Sequence, residues 1–551
     1  HYLAAELDKP ELRRLVRERM PRPQHLALAL HQGNVADALA AAPGPGYASL
    51  DRREPDGTWV FRPDEKRSVL GETGDTNVGI MAPEVFVTLR AARASADERL
   101  LEEGLAGLSK LSRFRVPRGA QVWEVPLHAP DILASGRAVQ AFTLGYACTG
   151  NEDYLEEARY WAETALPFIY HWQHPREDLA PMRGGSIPVF GATFFRNSWF
   201  GRLVQWNGLV VADALHGLAR AGGGAAWDRV AEDLTVSGQR QQIADPESDI
   251  IGLYPDFWNM RTGIPGYWLS PARLLTSVLQ QTGHTPEGAW VVLRSGESLM
   301  TLATPEPASS PRLLPSGAPL GPVAVEVPDP CDLAFTADYG LGPVSYAALI
   351  GVAKPASIRI RGRDVAEASS VEQVEEGWQY LPARAAVVFR FDHSAGPRVP
   401  VTVRGVSPAE PGFDGTTEWT FEDGAAGWGA MPNNVEVSAD DGHLVVRATG
   451  DDPYFSGPAF RLPAEGVGRL VLRVRSSVTG SFQCFWASET GGYTPERSLP
   501  TATVVADGEF HEVSAPVGAS SAWRGTIRRL RLDPPGAAGA TAEIDSIRLV
   551  E

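Results

Sequence analysis

Apolar residues recur at steps of three and four along the first half of the chain, which is the spacing of amphipathic helices. The stretches with this spacing lie near residues 8–19, 24–41, 82–94, 98–112, 131–148, 152–169, 202–221, 226–238 and 270–282. From about residue 284 the period changes to two, and short apolar runs alternate with turns rich in Pro and Gly, a pattern typical of strands. The pattern therefore predicts a multidomain α + β protein, helical over residues 1–283 and β-structured beyond.

The turns between the predicted helices have similar sequences. The clearest covers residues 149–158, and weaker copies cover 33–39, 96–105 and 224–231. In each, a tight polar turn ends one helix, and acidic residues open the next helix, where the helix dipole favours them. Repeated turns of this kind predict helical hairpins that stack side by side.

The turn at 149–158, followed by Tyr160 and Trp161, resembles the hairpin signature of six-hairpin (α/α)-toroid glycosidases and polysaccharide lyases. The resemblance covers about half of the chain. It implies a toroid catalytic domain over residues 1–283 whose rim loops form a sugar cleft. Nine or ten helices are predicted where a full toroid has about twelve, so we expect the toroid to be incomplete, with one hairpin upstream of His1.

Two β-domains are predicted after the helices. Residues 284–408 form the first, a β-sandwich of the kind that toroid enzymes commonly carry, and residues 407–412 read as a linker. Residues 416–551 open with Trp419 and Phe421 and close on a strand ending near Leu549. Both ends resemble jelly-roll carbohydrate-binding modules of secreted polysaccharide degraders. The resemblance implies a polysaccharide or oligosaccharide partner and a secreted, periplasmic or cell-surface location, although no signal peptide is present.

Composition narrows the classes of function. The chain carries 50 basic and 67 acidic residues, for a net charge of −17, and no basic patch is interleaved with aromatics, which argues against nucleic acid. An acidic surface also disfavours a highly sulfated substrate. No apolar run of about 18 residues predicts a membrane span, and three scattered cysteines predict buried thiols rather than a disulfide framework. Motifs of esterases, metalloproteases, NTPases and dehydrogenases are absent from the sequence.

Cleavage of a glycosidic bond by water uses two carboxyl groups, one protonated and one ionised. The segment 121–131 is the densest in polar candidates, and its two prolines keep it from forming one helix. Glu124 is the preferred carboxyl, and Trp123 beside it is a sugar-stacking platform. Asp131 is a second candidate and equally a partner of the helix dipole. His128 is a candidate base for a lyase and equally a structural histidine.

Two further loops supply carboxylates, and a third supplies polar and aromatic groups. Asp75 lies in the glycine-flanked segment 71–77, where it is alternatively a helix cap. Asp256 lies among the aromatics of 254–259, where it is alternatively a turn former. The aromatic loop 190–207 adds groups that read sugar hydroxyls and carboxylates. The substrate-binding residues expected from these segments are Trp123, Arg196, Trp206, Asn207, Tyr254 and Trp258.

The C-terminal region offers two kinds of site. Its resemblance to carbohydrate-binding modules implies that Glu422 and Asp545 hold a structural calcium ion, a metal that prefers oxygen ligands; solvated surface carboxylates are the alternative. No cofactor is expected for catalysis. Five aromatics are candidate sugar platforms, of which at least two are expected in the core: Trp428, Tyr454, Trp486, Tyr493 and Trp523.

These residues support three functions. The first is a glycoside hydrolase with Glu124 as one carboxyl and Asp75, Asp131 or Asp256 as the other. The second is a polysaccharide lyase that uses His128 or Tyr254 as base and grips a uronate with Asn207 and Arg196. The lyase families of this resemblance carry adjacent Asn-His elements, which the sequence lacks, and this favours hydrolysis. The third is a glycan-binding protein without catalysis.

Overall fold

The computed structural model describes Arg14 and residues 25–169, 202–259, 265–409, 417–422, 424–458, 460, 462–488 and 492–551. The chain divides into two compact units: the first consists of His1–Leu381 and Ala385–Glu410, and the second consists of Pro411–Glu551 with the short segment Pro382–Arg384. The described part of the first unit contains the helices, a three-stranded sheet of Arg202–Val204, Tyr254–Asn259 and Pro265–Leu269 in that order, and two six-stranded sheets, and that of the second contains two further sheets.

Ten α-helices lie in the described part of the first unit. Their bounds are α1 Leu26–Gln32, α2 Val35–Ala41, α3 Gly44–Leu50, α4 Val78–Ser95, α5 Glu98–Leu111, α6 Ile132–Thr149, α7 Glu152–Glu163, α8 Gln205–Arg220, α9 Ala225–Arg240 and α10 Ala272–Gln281.

The helices form hairpins in two layers. Helices α4, α6, α8 and α10 pack against one another in series, and α5, α7 and α9 pack on α4, α6 and α8 respectively. Helix α6 is buried nearly all round, whereas α7 buries only one face, as expected for an inner and an outer helix. The stacked hairpins predicted from the repeated turns are therefore present, and closure of the series into a ring stays a prediction.

Side-chain caps set the helix starts. Asp97 accepts a hydrogen bond from the backbone N–H of Leu100 at 3.1 Å, and Asn151 accepts one from Asp153 at 3.0 Å. Gly150 ends α6 with a φ of 70°, a conformation that glycine adopts without strain. The helix expected over 24–41 was wrong in one respect, because Gly33, with a φ of 95°, divides it into α1 and α2.

Fifteen strands belong to the described part of the first unit. They are β1 Arg202–Val204, β2 Tyr254–Asn259, β3 Pro265–Leu269, β4 Ala289–Ser295, β5 Ser298–Thr304, β6 Ser309–Leu314, β7 Ala318–Pro319, β8 Val325–Glu326, β9 Cys331–Asp338, β10 Val344–Ile350, β11 Ser357–Ile360, β12 Arg363–Asp364, β13 Gly377–Leu381, β14 Ala386–Asp392 and β15 Arg398–Val406.

The first β-sandwich shares a core with the helices. Its sheets have the orders β13-β14-β10-β5-β4-β8 and β12-β11-β15-β9-β6-β7. On β10, Leu349 faces the core between the sheets, while Ala348 and Ile350 pack with Leu30 of α1. A strand that is buried on both faces lacks the alternation of apolar and polar residues that is typical of a surface strand. The helical region and the 284–408 region therefore lie within one compact unit.

The second unit is an antiparallel β-sandwich. Its strands are β16 Glu418–Thr420, β17 Ala430–Asn433, β18 Val435–Asp440, β19 His443–Ala448, β20 Tyr454–Ser456, β21 Leu462–Pro463, β22 Arg469–Ser476, β23 Gln483–Ser488, β24 Ser498–Pro500, β25 His511–Ala515, β26 Thr526–Asp533 and β27 Thr541–Val550. One sheet has the order β18-β19-β27-β22-β25, and the other β17-β20-β26-β23-β24. Inward-facing apolar residues of both sheets form one core.

The three cysteines, Cys148, Cys331 and Cys484, are buried and unpaired, as expected from their scattered positions. Within the described ranges, no helix combines the length and the apolar character needed to cross a membrane.

Candidate functional site

The loop that carries Trp123 and Glu124 is held at both ends by backbone hydrogen bonds. The N–H of Gly79 donates to the carbonyl of Arg118 at 2.8 Å, and the N–H of Asp131 donates to Pro117 at 2.8 Å. The Asp131 carboxylate accepts hydrogen bonds from Ala120 N at 3.1 Å and from Ala134 N at 2.9 Å. Residues 117–131 are therefore held against the start of α4 and the start of α6.

Asp131 takes the structural role that the sequence left open. It is fully buried, it caps α6, and burial raises the pKa of its carboxyl to about 6. Both carboxylate oxygens are used by backbone N–H groups, so the side chain has no free oxygen to offer a substrate. We therefore leave Asp131 out of the catalytic pair: it positions the loop above it.

Four of the predicted residues come together above this base. The rings of Trp123 and Trp206 lie 5.9 Å apart between centroids, with a tilt of 31°. The indole N–H of Trp206 donates to the carboxylate of Asp256, and Glu124 lies close enough for its charge to raise the pKa of Asp256. Two carboxyl groups and two tryptophans from three separate segments therefore share one site.

The pairing of β1 with β2 explains this convergence. Val204, the last residue of β1, pairs with Phe257 on β2, and α8 begins immediately after β1. Trp206 in the first turn of α8 is thereby placed beside Asp256, the neighbour of Phe257. Trp123 is 44% exposed, so its ring is open to a ligand while Trp206 is partly covered.

The environment of Asp256 favours its protonated form. Burial raises the pKa of this carboxyl, and the negative charge of Glu124 raises it further. The hydrogen bond from Trp206 lowers the same pKa. Partial burial and a neighbouring carboxylate both raise the pKa of a carboxyl group, because each disfavours its charged form. The direction of this pKa shift is the one that a general acid requires.

Tyr254 and Asn207 lie under the site rather than in it. Tyr254 is 1% exposed and packs with Leu209 and Leu274, and burial raises the pKa of its phenol to about 12, which disfavours a role as base. The side chain of Asn207 is fully buried in α8, and neither polar atom of its amide has a hydrogen-bond partner in the described part of the chain. A buried amide in this condition calls for a bound water or ligand.

A second pair of predicted residues lies at the outer end of the same loop. His128 Nε2 is 3.5 Å from Asp75 Oδ2, and the histidine side chain is 63% exposed. Asp75 also accepts a hydrogen bond from the N–H of Glu72 at 2.9 Å. Neither residue is among the groups that shift the pKa of Asp256. The predicted carboxyl and the predicted base thus form their own exposed pair.

The predictions for Arg196 and for the side chain of Trp258 lie outside the described part of the structure.

Three of the five aromatic candidates of the second unit belong to its core. Trp428, Trp486 and Trp523 are nearly fully buried, and the indole N–H groups of Trp486 and Trp523 donate to backbone carbonyls at 3.1 Å. They are therefore structural, which satisfies the expectation that at least two would be.

The other two aromatics lie on an outer sheet face around an arginine. The guanidinium of Arg531 is 3.6 Å from the ring centroid of Tyr454, 4.6 Å from Phe485 and 6.0 Å from Tyr493. It also donates to both carboxylate oxygens of Asp533 at 2.7 and 2.6 Å. We call these five residues the Arg531 face. Arg531 and Asp533 were not predicted from the sequence. The alternation of polar and apolar residues along β26 is the signal that places both on its outer face.

The two residues predicted to hold calcium, Glu422 and Asp545, contact other groups in this structure. The Asp545 carboxylate is 2.8 Å from Arg473 and 3.7 Å from His443, while Glu422 lies beside Gly442. Over the ranges that the structure covers, no group of three His, Cys, Asp or Glu side chains is arranged to hold a metal. A guanidinium in contact with Asp545 disfavours a second cation at this carboxylate, and calcium binding by the pair stays a prediction.

No protein-family model and no curated protein matches the chain. Among solved structures, a mutant of a family 29 carbohydrate-binding module is 12% identical and covers 24% of this chain and 91% of its own length, with a TM-score of 0.19. A xylan-binding module from Roseburia intestinalis is 11% identical over 24% of this chain and 95% of its own, with a TM-score of 0.19. Cellobiose 2-epimerase from Bacillus thermoamylovorans is 15% identical over 40% of this chain, with a TM-score of 0.29, and the match spans 57% of that enzyme. Likeness at this level says nothing about activity.

Proposed function

We propose that the first unit is a glycoside hydrolase in which Asp256 is the general acid and Glu124 is the base or nucleophile. The observation that carries this proposal is the juxtaposition of the two carboxyl groups, one with a raised pKa, beside Trp123 and Trp206. Hydrolysis of a glycosidic bond requires a protonated and an ionised carboxyl on either side of the bond. Indole rings add stacking surface for the apolar faces of sugar rings.

In this mechanism Asp256 donates its proton to the leaving-group oxygen as the glycosidic bond breaks. Glu124, as a carboxylate, either takes a proton from the attacking water or attacks the anomeric carbon itself. As Asp256 loses its proton, the indole N–H of Trp206 stabilises the carboxylate that forms. The exposed Trp123 would hold the sugar ring next to the bond being cleaved.

The nature of the products tests this function. We expect the full chain to release reducing ends from a polysaccharide without producing an ultraviolet-absorbing unsaturated sugar. An unsaturated product would instead favour elimination, for which the exposed His128 beside Asp75 supplies a base. If the chain is retained on a polysaccharide gel but releases neither kind of product, it is a glycan-binding protein without catalysis, and the proposal is overturned.

The pH profile should respond to Trp206. Because the indole N–H stabilises the charged form of Asp256, Trp206→Phe should raise the pKa of this carboxyl further. A general acid works only while protonated, so the alkaline limb of kcat/KM is expected to move to higher pH by about half a unit or more. Trp123→Phe is the matched control, since Trp123 has no bond to Asp256, and its alkaline limb should stay in place. A shift in the opposite direction would contradict the assignment of Asp256 as acid.

We also propose that the second unit binds a glycan chain through the Arg531 face. Its aromatic rings and the planar ion pair of Arg531 with Asp533 present stacking surface and hydrogen-bonding groups on one side of a sheet. Phe510, stacked at 4.9 Å on His443 of the second unit, provides a control ring. Tyr454→Ala should weaken retention of the full chain on a polysaccharide gel about tenfold, while Phe510→Ala leaves it unchanged. Equal effects of the two substitutions would contradict this surface.

A further inference from the structure

Two exposed aromatic residues lie on strand β3, next to the strand that carries Asp256. Tyr267 is 73% exposed and Trp268 is 36% exposed. Aromatic side chains that are grouped at the surface of a protein often mark a binding site. Neither residue belongs to the catalytic pair, and neither was predicted from the sequence. Two adjacent exposed rings therefore indicate a further contact with a ligand.

The strand register places both aromatic residues beside the acid. In the antiparallel pairing of β2 with β3, Pro255 lies opposite Trp268, and the register is unchanged two residues further along. Asp256 and Tyr267 occupy the opposed positions between these pairs. Opposed Cα atoms of antiparallel strands are about 4.5–5.5 Å apart. The backbone that carries the two rings is therefore one strand away from Asp256.

The order of the strands puts these rings on the other side of Asp256 from Trp206. Strand β2 is the central strand of the sheet β1-β2-β3. Trp206 follows β1 directly, in the first turn of α8, and its indole N–H donates to the Asp256 carboxylate. Tyr267 and Trp268 belong to β3, on the opposite side of β2. Asp256 thus has aromatic residues next to it on both sides.

The local conformation of β3 fixes the ring of Tyr267. A Cβ on Gly266 would lie 2.3 Å from the ring of Phe257, so this ring covers the backbone of Gly266. Tyr267 follows with a φ of 50°, and its ring meets the ring of Phe257 edge-on, at 5.9 Å between centroids and an angle of 69°. A bulky residue adopts positive φ only at a cost in free energy, and such strained residues cluster at binding sites. The exposed ring of Tyr267 is therefore held in a defined place.

We propose that Tyr267 and Trp268 form a sugar-binding subsite on the β3 side of Asp256, which holds a glycan chain that extends past the cleaved bond. Aromatic rings provide stacking surface for the apolar faces of sugar rings. Trp206 and its neighbour Trp123 provide such surface on the other side, so a chain that crosses the acid meets aromatic rings in both directions. This arrangement favours an oligosaccharide or polysaccharide over a short glycoside. The inference rests on the proposed hydrolase function, because it names the length of substrate that the site takes.

Oligosaccharides of increasing length test the subsite. They are prepared by partial hydrolysis of the polysaccharide from which the full chain releases reducing ends, and kcat/KM is measured for each length. Trp268→Ala should lower kcat/KM about tenfold for the long oligosaccharides, because only a chain that reaches β3 meets the lost ring. The shortest oligosaccharide that is cleaved should keep the wild-type kcat/KM. Ile251→Ala, at an exposed residue of the turn before β2, is the control and should change neither value.

Tyr267→Gly provides a second, independent test. It removes the ring and also the strain of the positive φ, since glycine adopts this conformation freely. The variant should therefore unfold at about the temperature of the wild-type protein, while its kcat/KM for long oligosaccharides falls about tenfold. A marked fall in the unfolding temperature would assign the ring to packing against Phe257 and would overturn its place in the subsite.

The outcomes separate the subsite from the hydrolase. Equal losses on short and long oligosaccharides, or no loss on any of them, would overturn the subsite and leave the hydrolase standing. If the chain cleaves no polysaccharide, binding is measured with oligosaccharides of a polysaccharide whose gel retains it, in a Tyr454→Ala background that disables the Arg531 face. Weaker binding after Trp268→Ala would then leave the subsite standing without the hydrolase, and unchanged binding would overturn both.

Discussion

Glu124→Gln is expected to lower kcat by about three orders of magnitude while leaving glycan binding nearly unchanged. The substitution keeps the shape of the side chain but removes the carboxylate that activates water or attacks the sugar, and such groups typically contribute 10²–10⁴ or more to the rate. Asp256→Asn should produce a loss of similar size, because it removes the proton that the leaving group requires. Steady-state kinetics together with equilibrium binding of the substrate would measure both effects.

Glu163→Gln is the control for this experiment, since Glu163 is the exposed last residue of α7. The double variant of Glu124 and Asp256 should be little worse than either single variant, because residues that act as one unit give non-additive losses. Wild-type turnover by Glu124→Gln would remove this residue from the mechanism. If Asp256→Asn turned over at the wild-type rate, Asp256 would be removed from the mechanism as the general acid.

Gly79→Ala should lower the free energy of unfolding by about 3 kcal/mol and displace the loop that carries Glu124. A Cβ at this position would lie 2.6 Å from the carbonyl oxygen of Arg118 and closer still to the backbone nitrogen of Ala120. Backbone atoms cannot move aside as a flexible side chain does, so either α4 or the loop must shift. Thermal or denaturant unfolding would measure the loss of stability, and kcat would report the displacement.

Gly217→Ala is the matched comparison. Gly217 lies inside α8, and a Cβ there would meet no atom within 4 Å. Alanine is the better helix former by about 0.5–1 kcal/mol, so this variant should be slightly more stable than the parent protein. If Gly79→Ala behaved in the same way, the close contact between α4 and residues 118–120 would be contradicted.

Much of the helical region could be predicted because its signals are local. Apolar spacing, the side-chain caps at Asp97 and Asn151, and the turn at Gly150 all act within a few residues of one another. The exceptions have physical causes. A single glycine with positive φ, Gly33, divides the helix predicted over 24–41. Helix α3 begins at Gly44-Pro45-Gly46, a composition that indicates a turn rather than a helix.

The site was predictable as separate residues but not as an arrangement. Glu124, Asp256 and Trp206 stood out as polar and aromatic groups in loops, yet their meeting depends on the pairing of β1 with β2, which joins segments about fifty residues apart.

The shared core of α1 with strand β10 determines which fragments of this protein can be produced separately. Because Ala348 and Ile350 pack on Leu30, a fragment ending at residue 283 would leave the apolar surface of α1 uncovered and open to aggregation. The smallest piece worth producing by itself therefore extends through β15 to about residue 409. A cut there keeps all the described strands of the first unit together with its helices, and it frees the C-terminal sandwich for separate binding measurements.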